Sequence, residues 1–109
     1  MKKSSYVDYV VGDALSRLRG VTARAMFGGH GLYLNGVIFG LIADEILYFK
    51  VDDSNRQDYQ KRGSRPFAYD SARGKKVTMS YWEVPSEILD DADLAAEWAR
   101  CSAGISRPK

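Results

Sequence analysis

Between residues 23 and 51 the chain breaks into short apolar runs, "RAMF", "GLYL", "VIFGLIA" and "ILYFKV", parted by Gly28-Gly29, Asn35-Gly36 and Asp44-Glu45. This pattern constrains the fold more than any other. Two-residue breaks leave no room for the helical crossover that parallel strands need, so successive runs pair antiparallel as a meander. Asn-Gly between apolar runs predicts a type I′ hairpin turn, whose two central residues both take positive φ. Asp44-Glu45 is read as a second tight connection.

Helices are expected on either side of the meander. Over residues 5 to 19, Val7, Val10, Val11, Ala14, Leu15 and Leu18 recur at three- and four-residue spacing, the mark of an amphipathic helix. Ser4 or Ser5 would cap its start and Gly20 its end. "DDSNRQDYQKRG" (52 to 63) is polar and closes on glycine, so it reads as a short helix. Strands follow near "PFAY" and "KVTMSYW", joined by a turn around "SARGK". From Pro85-Ser86 a final helical region carries Ile88, Leu89, Leu94, Ala95, Trp98 and Ala99, with Asp90 or Asp91 placed to split off its first turn by capping a new helix. "ISRPK" reads as a tail. The expected class is α+β, in the order α-β-β-β-α-β-β-α: a five-stranded, mainly antiparallel sheet with helices packed on one face. All 109 residues form one domain, with a core at about 5 to 103 and a tail at 104 to 109.

Charge and composition narrow the function. The net charge is +2, too small to imply nucleic-acid binding by itself. No apolar run approaches the roughly 20 residues of a membrane span, and the N-terminus lacks a secretory signal's apolar region. One cysteine, Cys101, and one histidine, His30, give neither an internal disulfide nor a thiolate metal site. These features point to the cytoplasm and to no cofactor or metal.

Four segments invite chemistry. "MFGGHG" (26 to 31) lacks the Gly-Lys-Ser/Thr and the following helix of a phosphate loop, so its glycines are read as a turn or bulge. His30 has no partner at any fixed spacing to make it a general base. Asp52, Asp53 and Asn55 suit a divalent cation, but residues of this type before a helix more often cap it. From 56 to 76 the chain carries Arg56, Lys61, Arg62, Arg65, Arg73, Lys75 and Lys76, interleaved with Tyr59, Phe67 and Tyr69. Cations among aromatics suit phosphate contact with base stacking, although a solvated helix and an edge strand have the same composition. Glu83, Glu87, Asp90, Asp91, Asp93 and Glu97 follow with no basic residue among them. They read as surface compensation for the basic segment.

Taken together, "RAMFGGHGLYLNGVIFGLI", "LYFKVDDSNRQDY", "GSRPFAY" and "GKKVTMSYWEVPSEIL" resemble the N-terminal domain of the TfoX/Sxy competence-regulator family. The resemblance runs from about Ser5 to Ala103. It implies an α-β(3)-α-β(2)-α domain of the kind likened to secretion chaperones. Larger members act as positive regulators of bacterial DNA-uptake genes with the cyclic-AMP receptor protein, and the family supplies no catalytic residues. Those regulators carry a second, C-terminal helical domain, whereas this chain ends where the first domain should finish. In the family motif the position of His30 accepts other residues, while the flanking glycines and "MF" define it.

The expected function is a non-enzymatic cytoplasmic interaction domain, a transcriptional co-regulator that contacts a protein partner and touches DNA weakly or only inside a complex. Arg56, Lys61, Arg62, Arg65, Lys75 and Lys76 form the expected contact surface. Two alternatives stand beside it: a homodimer through a sheet face or edge, and a small-molecule or enzymatic site built from residues 26–31 and 52–56.

Overall fold

Strands β1 (Val21–Met26), β2 (Gly29–Leu34), β3 (Val37–Ala43) and β4 (Ile46–Lys50) form the meander, each antiparallel to the next. The computed structural model describes residues 5–26, 28–70, 74 and 76–106, without the side chains of 5, 69, 70, 76–79 and 106. Both tight turns take the expected form. Asn35 and Gly36 lie at φ 51° and 87°, and Asp44 and Glu45 at φ 52° and 60°. All four positions are left-handed, as a type I′ turn requires.

After β4 comes helix α2 (Arg56–Gln60), then the hairpin of β5 (Pro66–Asp70) and β6 (Lys76–Glu83). β6 returns to pair with β4, giving one six-stranded antiparallel sheet in the order β1-β2-β3-β4-β6-β5. The sheet therefore has six strands rather than the expected five: all four runs of the meander, "RAMF" included, are strands, where the expected order counted three before α2. Four consecutive β1 residues, Thr22 to Ala25, are exposed. Val21 at its start packs against the core, but the exposed residues after it show no apolar alternation for a sequence pattern to detect.

The N-terminal helix is shorter than the expected span of 5 to 19. Helix α1 (Ser5–Tyr9) runs straight into a π-helical turn (Val10–Ala14) and stops. Leu15 N–H donates to the Val10 carbonyl at 2.9 Å, five residues back rather than four. That wider turn brings Val10 and Leu15 onto one face, and both are fully buried. Gly20 does not end this helix. It sits at φ 87° in the connection to β1, where its carbonyl accepts from Asn35 N–H. A Cβ on Gly20 would lie 2.2 Å from Asn35 Oδ1, so close approach to the β2–β3 turn demands the glycine. Capping by Ser4 or Ser5 falls outside the described residues and side chains.

At the other end the helical region splits as expected, into α3 (Ser86–Leu89) and α4 (Ala92–Ser106). Asp91 Oδ1 accepts from the N–H groups of Asp93 and Leu94, at 3.1 and 3.2 Å. These are two of the donors that every helix start leaves open. α4 continues to Ser106, three residues into the stretch expected as tail; residues 107–109 lie outside the description.

All the helices sit on one face of the sheet, and each contributes to one core: Val7 from α1, Val10 from the π turn, Tyr59 from α2, Ile88 from α3, and Ala95, Ala99 and Ala103 from α4. Small residues on α4 let it lie close on β3 and β4. Their side of the sheet supplies Leu32, Ile42, Leu47, Phe49 and Trp82. A bulge in β3 leaves Phe39 without a partner on β2 and turns its ring inward, edge-on to Phe49 at 5.6 Å. The opposite face bears Tyr33, Ile38, Leu41, Tyr48, Phe67 and Tyr81, none of which packs into that core.

Candidate functional site

The loop from β4 into α2 is built by its own polar side chains. Asp52 Oδ1 accepts from Ser54 N–H at 2.8 Å and from the Ser54 hydroxyl. Asn55 Oδ1 accepts from Asp52 N–H at 2.9 Å, and its Nδ2 donates to the Lys50 carbonyl at 3.2 Å. Asp53 pairs with Arg56. Asp52 and Asn55 thus satisfy backbone groups of the loop, whereas the expected capping of α2 is not made: Asn55, at the N-cap position, forms no side-chain cap hydrogen bond and reaches back to β4. Among the described residues no group of three or more His, Cys, Asp or Glu side chains is placed to hold a metal ion.

α2 closes with a Schellman motif. Ser64 N–H donates to the Tyr59 carbonyl and Gly63 N–H to that of Gln60, with Gly63 at φ 73° as the left-handed residue the motif uses. The tight stop brings Lys61, Arg62 and Arg65 round one corner. Ser64 Oγ then donates to the Glu83 carbonyl, and Glu83 N–H donates to the Arg65 carbonyl at 3.0 Å, which fastens the corner to β6. An open hollow of about 300 Å³ lies against it, lined by Arg62, Gly63, Ser64, Arg65, Glu83, Pro85, Ser86 and Glu87.

The six expected surface residues have different surroundings. Lys61 and Arg65 are exposed. Arg62 is engaged inside the molecule: its guanidinium lies 5.1 Å from the centre of the Trp98 ring and its Nε is 3.1 Å from Glu87. Arg56 is held by Asp53 and sits at the start of α2, away from the hollow's lining. Lys75 is outside the described residues, and of Lys76 only the backbone is described, paired with Asp70 at the far end of the β5–β6 hairpin.

The aromatics read as interleaved with these cations separate in the structure. Tyr59 is 1% exposed and stacks edge-on against Trp98 at 4.7 Å, so no base can reach it. Phe67 stacks on Tyr48 at 4.8 Å, on the sheet face away from the helices. Tyr69's side chain lies outside the description. The basic segment therefore does not form one cation-aromatic strip.

The acidic segment does compensate charge locally. Glu87 pairs with Arg62, and Asp93 lies 3.5 Å from Arg17. Both pairs are largely exposed and contribute at most about 1 kcal/mol each. Asp91 is a cap.

His30 stands in β2 opposite Ala25 and Ile42, and Ile42 in turn faces Leu47 on β4. Asp52 is five residues beyond Leu47, about 17 Å along a strand, with two strand spacings to add. The structure does not bring His30 and Asp52 together, and His30 lines neither the hollow above nor a smaller one. That second hollow, about 90 Å³, is lined by Asn55, Asp58, Tyr59, Glu97, Trp98 and Cys101. Burial and the nearby carboxylates of Asp52, Asp58 and Glu97 push the Cys101 thiol up, away from the reactive thiolate. Sequence reasoning had no signal for either hollow, because each gathers residues from elements far apart in the chain.

No helix among the described residues is long and apolar enough to cross a membrane. No relative among curated proteins matches the chain. The family model described as the TfoX N-terminal domain matches residues 13–104, which takes in the meander, the α2 corner, the β5–β6 hairpin and nearly all of α4. The chain belongs to the TfoX N-terminal domain family.

Proposed function

We propose that this chain is a non-enzymatic cytoplasmic interaction domain, a transcriptional co-regulator related to the competence regulators. It binds a protein of the transcription machinery through the corner of Lys61, Arg62 and Arg65, and DNA is met only within that complex. One observation carries the choice of a protein over DNA. The hollow that presents Arg62 and Arg65 is also lined by Glu83 and Glu87. A phosphate backbone carries one sign of charge and is repelled by carboxylates placed among the cations, whereas a polypeptide of mixed charge meets both. The hollow's openness and polar lining suit a segment of protein surface. Enclosed small-molecule sites are mostly apolar. Arg56, paired with Asp53, and Lys76, at the far end of the β5–β6 hairpin, lie outside this contact.

A photo-crosslinking side chain at position 61, introduced in the cell that makes the protein, tests it. The expected product is one discrete adduct with a polypeptide of the transcription machinery, absent when the same group replaces Thr22 on β1. Adducts of equal yield from both positions, or none from position 61, would overturn the proposal.

A further inference from the structure

The face of the sheet turned away from the helices has no described helix on it, yet it is not a polar surface. Tyr33, Ile38, Leu41, Tyr48 and Phe67 lie there half-buried and Tyr81 buried, apart from the core. Tyr48 stacks on Phe67, and Lys50 lies 5.1 Å from the Tyr81 ring centre. Partly exposed apolar side chains gathered on one face suit an interaction site, and the charges beside them say what covers it.

One transverse row crosses this face through successive pairings: Arg24 on β1, Gly31, Leu41, Tyr48, then Glu83 on β6. The cation and the carboxylate stand at opposite ends with Leu41 at the midpoint. A two-fold axis along the strands through Leu41 sets Arg24 of one copy against Glu83 of the other, twice over. The same rotation sets Gly31, whose open side is filled by Met26 and Tyr33 of its own chain, against Tyr48, and Leu41 against itself.

Stacked sheets cross at about 30°. At two strand spacings from the axis, about 10 Å, the rows diverge by about 5 Å, which an arginine side chain spans. We infer that this outer face is an isologous dimer interface between two copies of the chain, centred on Leu41 and registered by Arg24 and Glu83. The interface meets the basic corner at Glu83, which also lines the hollow beside Arg62 and Arg65. Its footprint, about 24 by 17 Å from strand spacing and rise, is smaller than the roughly 800 Å² per partner of a standard interface, so the dimer is a weak one.

Light scattering and sedimentation equilibrium across about 1 µM to 1 mM test this with the full chain. The wild type is expected to pass from monomer to dimer in that range. Leu41→Lys, which places two cations together on the axis, is expected to remain monomeric, with melting temperature and circular dichroism reporting its fold. Arg24→Glu lies on an exposed edge strand and keeps the test open should Leu41→Lys fail to fold; at least a tenfold weaker dimer is expected. Combining Arg24→Glu with Glu83→Arg is expected to recover most of that loss. Lys61→Glu is expected to leave the mass unchanged. A wild type that is monomeric at 1 mM, which would leave the face to a different protein, overturns the inference. So does a dimer indifferent to Arg24→Glu, or one that the paired exchange fails to restore.

Discussion

The β3–β4 turn shows how a single residue can be out of place and still be tolerated. Glu45 takes φ 60°, a conformation that costs a non-glycine residue about 1 kcal/mol or more. Glu45→Gly is therefore expected to stabilise the protein by about 0.5 to 1 kcal/mol, read as a higher melting temperature; a lower one would mean that the glutamate side chain contributes more than its backbone costs. Tyr59 is a different case. Its hydroxyl is buried with no hydrogen-bond partner among the described residues, and burial raises its pKa well above the ordinary 10.0, with nearby Ser102 offsetting this only in part. The Ser102 hydroxyl is itself committed to the Lys50 carbonyl at 2.7 Å. A raised folded-state pKa contributes stability that is complete below the unfolded value and fades as pH rises past it. Stability should thus fall above about pH 10, and Tyr59→Phe should flatten that fall while changing stability by no more than about 1 kcal/mol near neutrality. An unaltered alkaline slope in the variant would remove Tyr59 as a cause. The sequence showed Tyr59 only as an aromatic among cations, since a short polar helix hides which of its side chains turns inward.

At the scale of elements, what was legible followed local chemistry. Asn35-Gly36 and Asp44-Glu45 named their turns because positive φ is needed at once and on the spot. Asp91 named its helix start for a similar reason: the donors it accepts from are two and three residues on. Asp91→Ala is expected to cost about 1 kcal/mol, measured by chemical denaturation, and a neutral result would show that α4 is held by packing alone. What was not legible depended on partners distant in sequence. The strand count fell one short because the exposed side chains of β1, whose run "RAMF" opens the meander, follow no period, and the π turn escaped because its five-residue spacing between Val10 and Leu15 mimics part of an ordinary helical stripe. Gly20 was correctly seen as special, but its reason lies at Asn35 rather than at a helix end.

For the whole molecule, the helices gather on one side of the sheet and leave two surfaces with distinct character: the outer apolar face and the basic corner at the end of α2. The fold class and the one-sided packing could be read from periodicity. The site could be read only as a run of cations, and the structure sorts that run by engagement. Arg62 braces Trp98 and Glu87 and Arg56 is paired with Asp53, while Lys61 and Arg65 stand exposed. Reversing Arg62 would thus disturb folding and binding together. Lys61→Glu with Arg65→Glu separates them, since neither residue is buried and changes at such surface positions are usually within about 0.5 kcal/mol. The decisive measurement is capture from lysate of the cells that make the protein, with wild type and this double variant immobilised side by side, the bound polypeptides identified by mass spectrometry, and both melting temperatures recorded. The prediction is a transcription-machinery polypeptide held by the wild type and lost by the variant, at melting temperatures that agree closely. The same polypeptides held equally by both would contradict the assignment of the corner as the contact surface.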